Sequence, residues 1–238
     1  AAVAVPLGSC GTAAATLVGS WARAPHRRGR TLLMPQTGID VVLFDLGGVL
    51  VELEGPPVPA AWAGAAPEQE LWDRWLTCPW VQRFERGGCD VRTFAAGFVE
   101  TWGLSVEPEV FTEHLRTWPR GLFPEAEALV VEVAERTRVG CLSNTNALHW
   151  DGQLDAERLR GFFPGAAFAS HELGCVKPGR EIYERALSAL SLAPERVLFL
   201  DDSPRNVAGA ESVGLHARCA HGPAEARGAL AEFGLVDE

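Results

Sequence analysis

Residues 40–48 read Asp-Val-Val-Leu-Phe-Asp-Leu-Gly-Gly, a largely apolar run at 40–46 that carries Asp45 near its end and is followed by two glycines. Continuous apolar character, rather than strict alternation with polar residues, is typical of a strand buried on both faces of a sheet. Four more short runs share this character, at residues 138–142, 166–170, 196–200 and 214–218. Helical periodicity lies between most of them, at 124–136, 180–190 and 204–210. The sequence therefore predicts an α/β fold with a doubly wound, Rossmann-like parallel sheet of five strands.

One interval breaks this alternation. About 90 residues separate the first two predicted strands, far more than a simple crossover needs. Six of the eight tryptophans fall here, at positions 62, 72, 75, 80, 102 and 118. Trp72, Trp75 and Leu76 have the spacing of one helix face, so we expect most of these aromatics to form a small helical core. One or two of these tryptophans could instead line a substrate pocket. We predict an all-helical cap of residues 55–121, inserted into a core domain of residues 40–54 and 122–238.

Residues 1–39 differ in composition from the rest, because they contain four arginines and no Asp or Glu. A secretory signal is disfavoured, since its positive charges would precede the apolar stretch rather than follow it. An Arg-rich, acid-free segment is also typical of an organelle transit peptide. Met34 is the only methionine and stands just before the first predicted strand. We expect translation to start there, and the segment 1–39 to be a leader that is disordered or not native.

Composition narrows the possible functions. A chain of 238 residues that is 47% hydrophobic can bury a substantial core, which argues against a disordered protein. The net charge of −10 gives no general reason to bind nucleic acid. The sequence contains no uninterrupted run of about 18 apolar residues, so we expect no membrane span. The six cysteines form no C-x-x-C motif, so we expect free thiols rather than a disulfide scaffold or zinc site, and a cytoplasmic protein.

Four polar segments follow the predicted strands. Asp45 ends the first run, Ser143-Asn144 follows the second, and Asp201-Asp202 ends the fourth. Each alone has an ordinary explanation as a turn or a helix cap. Two adjacent acids at the end of a buried strand are nevertheless costly unless they are paired or bind a cation, and oxygen-rich sites suit Mg²⁺.

The fourth segment holds Lys177, the only lysine beside 20 arginines, in Gly-Cys-Val-Lys-Pro. A stray surface residue is the ordinary explanation. Because a compact ammonium and a guanidinium are not equivalent at a tight anionic site, a single retained lysine favours a specific role.

In order and spacing, these four segments resemble the motifs of the haloacid dehalogenase-like (HAD) hydrolase superfamily over roughly residues 40–220. The resemblance implies that Asp45 is a nucleophile that forms an aspartyl-phosphate, with Lys177 as the second catalytic residue. It implies a phosphate-binding set of Ser143, Asn144, Lys177, Gly47 and Gly48. It also implies that Mg²⁺ is held by Asp45, the backbone carbonyl of Gly47, Asp201 and Asp202. Residues 142–146, 173–174 and the Asp pair further resemble a bacterial subgroup that includes α-glucose-1-phosphate phosphatases.

One position departs from the pattern of these phosphatases. They usually carry a second Asp two residues after the nucleophile as general acid and base, and this chain has Gly47 there. Loss of such help typically costs about 10²–10⁴-fold in rate. Three explanations stay open: a leaving group that departs unprotonated, such as an anomeric or acyl phosphate; a proton supplied by Glu52, Glu54 or His114; or lost turnover. The subgroup tends to share this glycine and includes active members, which favours activity.

The sequence thus predicts a Mg²⁺-dependent phosphatase acting on a small phosphorylated metabolite, such as a sugar phosphate. A first alternative is a phospholigand-binding or regulatory domain with impaired catalysis, which Gly47 alone supports. A second is a 2-haloacid dehalogenase, which needs an Asp nucleophile but generally no metal. The pair Asp201-Asp202 argues against it.

Overall fold

The computed structural model describes residues 38–151 and 161–237, so the predictions for the leader fall almost wholly outside the described residues. The strands are β1 Val41–Phe44, β2 Val51–Leu53, β3 Pro119–Leu122, β4 Arg138–Ser143, β5 Ala167–Ala169, β6 Val197–Asp201 and β7 His216–Cys219. The helices are α1 Glu68–Thr77, α2 Pro79–Glu85, α3 Val91–Trp102, α4 Pro108–Thr117, α5 Ala126–Ala134, α6 Ala147–Trp150, α7 Ser170–Leu173, α8 Arg180–Leu190, α9 Pro204–Glu211 and α10 Gly222–Glu232. In this described part of the chain, every helix is too short or too polar to cross a membrane.

Five strands form the predicted parallel sheet, in the order β5–β4–β1–β6–β7. The central strand β1 is fully covered, because all four of its side chains are at most 1% exposed. Phe44 at its end is level with Cys141 of β4 and Leu200 of β6. The residues that follow these three strands therefore meet at one edge of the sheet.

Helices cover both faces of the sheet. Val42 and Phe44 of β1 pack in one apolar cluster with side chains of α5 and α10, whereas Val41 and Leu43 pack in the other with α8 and α9. Alternate residues of one strand point to opposite faces, so a continuous apolar run supplies both clusters. This confirms the doubly wound architecture.

Helices α1–α4 lie between β2 and β3 and have an apolar core of their own. Its aromatic rings stack in pairs, with centroids 4.4 Å apart for Phe84–Phe94 and 4.8 Å for Phe98–Phe111. Trp75, Trp102 and Trp118 are buried in the same cluster, and Trp62, Trp72 and Trp80 pack against it. Leu76, expected on the same helix face as Trp72 and Trp75, is instead 52% exposed. We refer to these helices as the cap; its limits at residues 55 and 121 stay a prediction.

The short strands β2 and β3 were not expected from the sequence. They pair antiparallel, with Val51 opposite Leu122 and Leu53 opposite Pro119, where the chain leaves and returns to the sheet domain. β2 has only three residues and β3 begins with a proline, so neither segment carries a strong strand signal of its own. The pairing depends on a contact between distant segments.

Candidate active site

Asp45 follows the central strand and is 8% exposed. Its backbone N–H donates to the carbonyl of Leu200 at 2.7 Å, which extends the ladder with β6 by one residue. Its carboxylate oxygen Oδ1 accepts from the N–H of Leu46 at 2.7 Å and lies 2.9 Å from the ammonium of Lys177. Among the described residues, no donor is placed on the second oxygen, Oδ2. The strand thus holds a buried carboxylate with one oxygen engaged and one available for reaction.

Lys177 is 3% exposed, and its ammonium contacts three oxygens. Nζ lies 2.9 Å from Asp45 Oδ1, 2.6 Å from Asp201 Oδ2 and 3.0 Å from the carbonyl oxygen of Leu142. These contacts use all three of its N–H donors. The single lysine therefore joins the ends of β1, β4 and β6, and its predicted contact with phosphate stays a prediction.

Asp201 and Asp202 end β6 in different surroundings. Asp201 is completely buried, and its Oδ1 accepts from the N–H of Ser203 at 2.8 Å and the side-chain amide of Asn206 at 2.9 Å. Asp202 is partly buried and lines the cavity described below. Carboxylate oxygens of Asp45, Asp201 and Asp202 all lie within 4.8 Å of one another. The structure therefore brings the three predicted acidic metal ligands together.

This acidic cluster carries more negative charge than the single ammonium compensates. Burial raises the pKa of Asp45 to about 8, against the opposing effect of Lys177. Burial also raises the pKa of Asp202, and the neighbouring charge of Asp201 adds to the effect. A divalent cation is the usual compensation for such a group, and hard oxygen donors are the ligands that Mg²⁺ prefers. The donor set therefore fits Mg²⁺.

Ser143 and Asn144 extend from β4 toward Lys177. Ser143 is buried, at the end of the strand. The side-chain amide of Asn144 pairs with both backbone groups of Lys177: its oxygen accepts from the N–H at 2.8 Å, and its nitrogen donates to the carbonyl at 3.1 Å. The side chain of Asn144 thus positions the lysine, and its predicted phosphate contact is left to its backbone N–H.

The two glycines after Asp45 differ in what they permit. Gly48 has φ +77°, and a Cβ there would lie 2.2 Å from Oδ2 of Asp202. Only glycine lets the loop approach this carboxylate so closely. Gly47 forms a bridge with Val51 and offers no side chain that could transfer a proton.

A cavity of about 670 Å³ lies between the cap and the edge of the sheet. The core contributes Asp45, Ser143, Asn144, Lys177 and Asp202, and the cap contributes Gln69, Trp72, Trp75, Gln82, Glu85, Arg86 and Trp118. The apolar ring faces and amides of the cap thus stand opposite the charged groups of the core. We refer to this space as the cap–core cavity.

None of the three proton donors suggested by the sequence is among the residues lining the cap–core cavity. Glu54 forms an ion pair with Arg120 outside it. His114 packs edge-on against Trp62, with ring centroids 5.0 Å apart. The cavity is lined by a cap carboxylate that was not predicted, Glu85. Nothing in the local sequence distinguishes it from a surface residue of a helix.

Comparison with known proteins agrees with this fold. The sequence model of the haloacid dehalogenase-like hydrolase family matches residues 39–214. A D-ribitol-5-phosphate phosphatase of Bacteroides thetaiotaomicron is 24% identical over 178 residues, which are 70% of this chain and 84% of that protein.

Two solved structures have a similar fold. A HAD family enzyme of Bacteroides thetaiotaomicron, in complex with magnesium and inorganic phosphate, gives a TM-score of 0.61 at 22% identity and covers 76% of this chain and 94% of its own. A HAD-like family hydrolase of Porphyromonas gingivalis gives 0.63 at 25% identity, with coverage of 77% and 91%. Similarity over so much of each chain includes the cap as well as the sheet.

Proposed function

The chain belongs to the haloacid dehalogenase-like hydrolase family, and on that premise we propose that it is a Mg²⁺-dependent phosphatase of small phosphorylated metabolites. The observation that carries this proposal is the set of charges around one nucleophile. The available oxygen of Asp45 shares a cavity with Lys177 and Asp202, and Asp201 lies directly behind them.

In the proposed reaction, the carboxylate of Asp45 attacks phosphorus and the bond to the leaving oxygen breaks, which forms an aspartyl-phosphate. Water then attacks this phosphorus and restores the carboxylate. Lys177 orients Asp45 and offsets the charge that repels an anionic nucleophile from a phosphate. The hydroxyl of Ser143 and the backbone N–H of Asn144 bind phosphate oxygens.

The metal ligands in this proposal are Asp45, Asp201, Asp202 and the carbonyl oxygen of Gly47. When bound, Mg²⁺ polarises the phosphate and orients it for in-line attack. The close approach of the Gly48 backbone to Asp202 keeps that carboxylate beside the other two.

We place the substrate among phosphorylated sugars or sugar alcohols. The relative from Bacteroides thetaiotaomicron acts on ribitol 5-phosphate. In this chain, the cavity presents Trp72, Trp75 and Trp118 together with the amides of Gln69 and Gln82. Aromatic faces with a few hydrogen-bonding groups suit a polyol, whose carbon faces are apolar and whose edges carry hydroxyls. On this proposal, the cap at residues 55–121 selects the leaving group.

The two alternatives have less support. A dehalogenase has no use for a cluster of three carboxylates, and that cluster is assembled here. A binding domain without catalysis would not require the free nucleophilic oxygen of Asp45 to be oriented by Lys177.

The test compares the wild type with Asp45→Asn, using p-nitrophenyl phosphate and a panel of sugar and alditol phosphates, with Mg²⁺ or with EDTA. We expect phosphate release only with Mg²⁺, and none from Asp45→Asn. Asp237→Asn, which changes an exposed carboxylate far along the chain, is expected to retain activity. Unchanged activity in Asp45→Asn would overturn the proposal, and binding of inorganic phosphate without turnover of any ester would favour the binding domain.

A further inference from the structure

The proposed reaction needs a proton at the leaving oxygen, and Gly47 cannot supply it. The titratable side chains lining the cap–core cavity, apart from the arginines, are Asp45, Glu85, His149, Lys177, Asp202 and His221. Three of these already have a role in the proposed reaction: the nucleophile is Asp45, its counter-ion is Lys177 and a metal ligand is Asp202. The remaining candidates are one cap carboxylate and two histidines.

His149 has no proton to give. Its Nε2 lies 2.7 Å from the carbonyl oxygen of Leu115 and must donate to it, and its Nδ1 lies 3.3 Å from the amide nitrogen of Asn146 and accepts from it. Both ring nitrogens are therefore engaged in the neutral form. Burial also lowers the pKa of His149, which disfavours the charged ring.

His221 sits in a different part of the cavity. It follows β7, its side chain is 63% exposed, and its Nδ1 lies 3.2 Å from a carboxylate oxygen of Glu225. The N–H of the next residue, Gly222, donates to the carbonyl of Gly48 at 2.7 Å, so His221 lies beside the nucleophile loop of the core rather than among the cap residues that face a leaving group.

Glu85 is the last residue of α2 and is anchored to the phosphate-binding loop of the core. The hydroxyl oxygen of Ser170 lies 2.7 Å from the backbone carbonyl of Glu85, and it accepts from the N–H of Thr145 at 2.9 Å. Thr145 is two residues beyond Ser143. The chain after Glu85 also touches the core, since a Cβ on Gly87 would lie 2.6 Å from the carbonyl oxygen of His171. These contacts fix the backbone of Glu85 relative to the loop that binds phosphate, and its side chain lines the cap–core cavity.

The electrostatic surroundings of Glu85 agree with this location. Burial raises its pKa to about 7, and the charge of Lys177 is the largest influence that lowers it. Lys177 therefore acts on Glu85 across the same cavity in which it contacts Asp45. A carboxyl group that is part protonated at neutral pH can both donate and accept a proton.

We infer that Glu85 is the proton donor and acceptor that replaces the missing aspartate at position 47. This inference rests on the proposed phosphatase function. As Asp45 attacks phosphorus, the bond from phosphorus to the leaving oxygen breaks with its electron pair on oxygen, and the proton of Glu85 moves onto that oxygen. The carboxylate of Glu85 then takes a proton from the water that attacks the aspartyl-phosphate. Glu85 regains its proton, Asp45 is released and inorganic phosphate leaves.

The test exploits the difference between leaving groups. An alkoxide must be protonated as it leaves, whereas p-nitrophenolate departs readily without a proton. In Glu85→Gln, kcat/KM for alkyl phosphates such as alditol phosphates is expected to fall by about 10²–10⁴-fold. The value for p-nitrophenyl phosphate is expected to change far less, and this retained activity also shows that the variant folds. The matched control is Glu172→Gln, an exposed carboxylate outside the cavity, which is expected to behave as the wild type.

Three outcomes would overturn the inference. One is an equal loss on both substrate classes, or a rise in KM alone, which would assign Glu85 to binding. Another is loss of alkyl phosphate turnover in His221→Gln with no loss in Glu85→Gln. A wild type without activity on any phosphate ester would instead refute the phosphatase proposal, and this inference with it. The first two outcomes leave the phosphatase proposal intact.

Discussion

The substitution Gly48→Ala probes the close approach of the nucleophile loop to the metal ligands. The new Cβ would lie 2.2 Å from Oδ2 of Asp202 and 2.7 Å from its Cγ. A carbon–oxygen contact requires about 3.3 Å, so the carboxylate or the loop must move by about 1 Å. The left-handed backbone at φ +77° adds a separate cost, about 1–2 kcal/mol for a residue with a Cβ.

These two costs can be separated with a second glycine. Gly103 ends α3 with φ +63°, and a Cβ there would have no atom within 4 Å. Gly103→Ala therefore carries the backbone cost without the clash. In urea denaturation, Gly103→Ala is expected to lose about 1–2 kcal/mol of unfolding free energy, and Gly48→Ala is expected to lose more because it also carries the clash.

Only Gly48→Ala is expected to lose activity and Mg²⁺ affinity. A misplacement of about 1 Å at a reacting centre can cost roughly 10²-fold in rate. The assays are kcat/KM for p-nitrophenyl phosphate and a Mg²⁺ titration of that activity. If Gly48→Ala matched Gly103→Ala in both assays, the close approach of Gly48 to Asp202 would not be what positions this carboxylate for Mg²⁺.

Three more predictions concern Lys177, Asn144 and Glu85. Lys177→Met leaves two buried carboxylates without their ammonium. In a urea titration with EDTA, this variant is expected to lose about 3–5 kcal/mol of unfolding free energy. The control Arg180→Met removes only an exposed ion pair and is expected to lose less than about 1 kcal/mol in the same titration. Asn144→Ala leaves both backbone groups of Lys177 without their partner and is expected to cost about 1–3 kcal/mol, and an unchanged denaturation midpoint would contradict this. At saturating Mg²⁺, which keeps Asp45 in its carboxylate form, kcat/KM for an alkyl phosphate is expected to fall as pH rises through about 7. Burial raises the pKa of Glu85 to about 7 against the charges of Lys177 and Arg86, and proton donation requires the protonated form. A Glu85→Gln profile that kept this decrease would assign it to another group.

The sheet was predictable because its strands are marked locally. A buried parallel strand is apolar throughout, and the expected run at 138–142 differs from the observed β4, Arg138–Ser143, by one residue. The predicted helix 180–190 matches α8, Arg180–Leu190, at both ends. In a parallel sheet the carboxyl ends share an edge, so Asp45, Ser143 and Asp201 were expected at one edge. They meet there because β4, β1 and β6 are neighbours, an order that the local patterns do not give.

The cap residues of the site were not predictable in this way. Glu52, Glu54 and His114 were candidate proton donors because of sequence proximity or residue type. The residue that reaches the cavity, Glu85, does so because α2 contacts the core at Ser170, a contact between residues 85 positions apart. No local pattern encodes such a docking. The positioning role of the Asn144 side chain was hidden for the same reason, since its partner lies 33 residues away.

The antiparallel pair β2–β3 affects how the segment inserted between these strands can evolve. Leu53 and Pro119 stand opposite each other, and the indole N–H of Trp118 donates to the carbonyl of Gly55 at 3.0 Å just beyond them. A tight turn could join these positions directly, because two-residue loops commonly close such a ladder. Everything between them can therefore be shortened, lengthened or exchanged without altering the order of the parallel strands. On the proposals above, the nucleophile and the metal ligands lie in the sheet domain that would stay unchanged, whereas leaving-group selection and the proton transfer by Glu85 lie in the inserted segment.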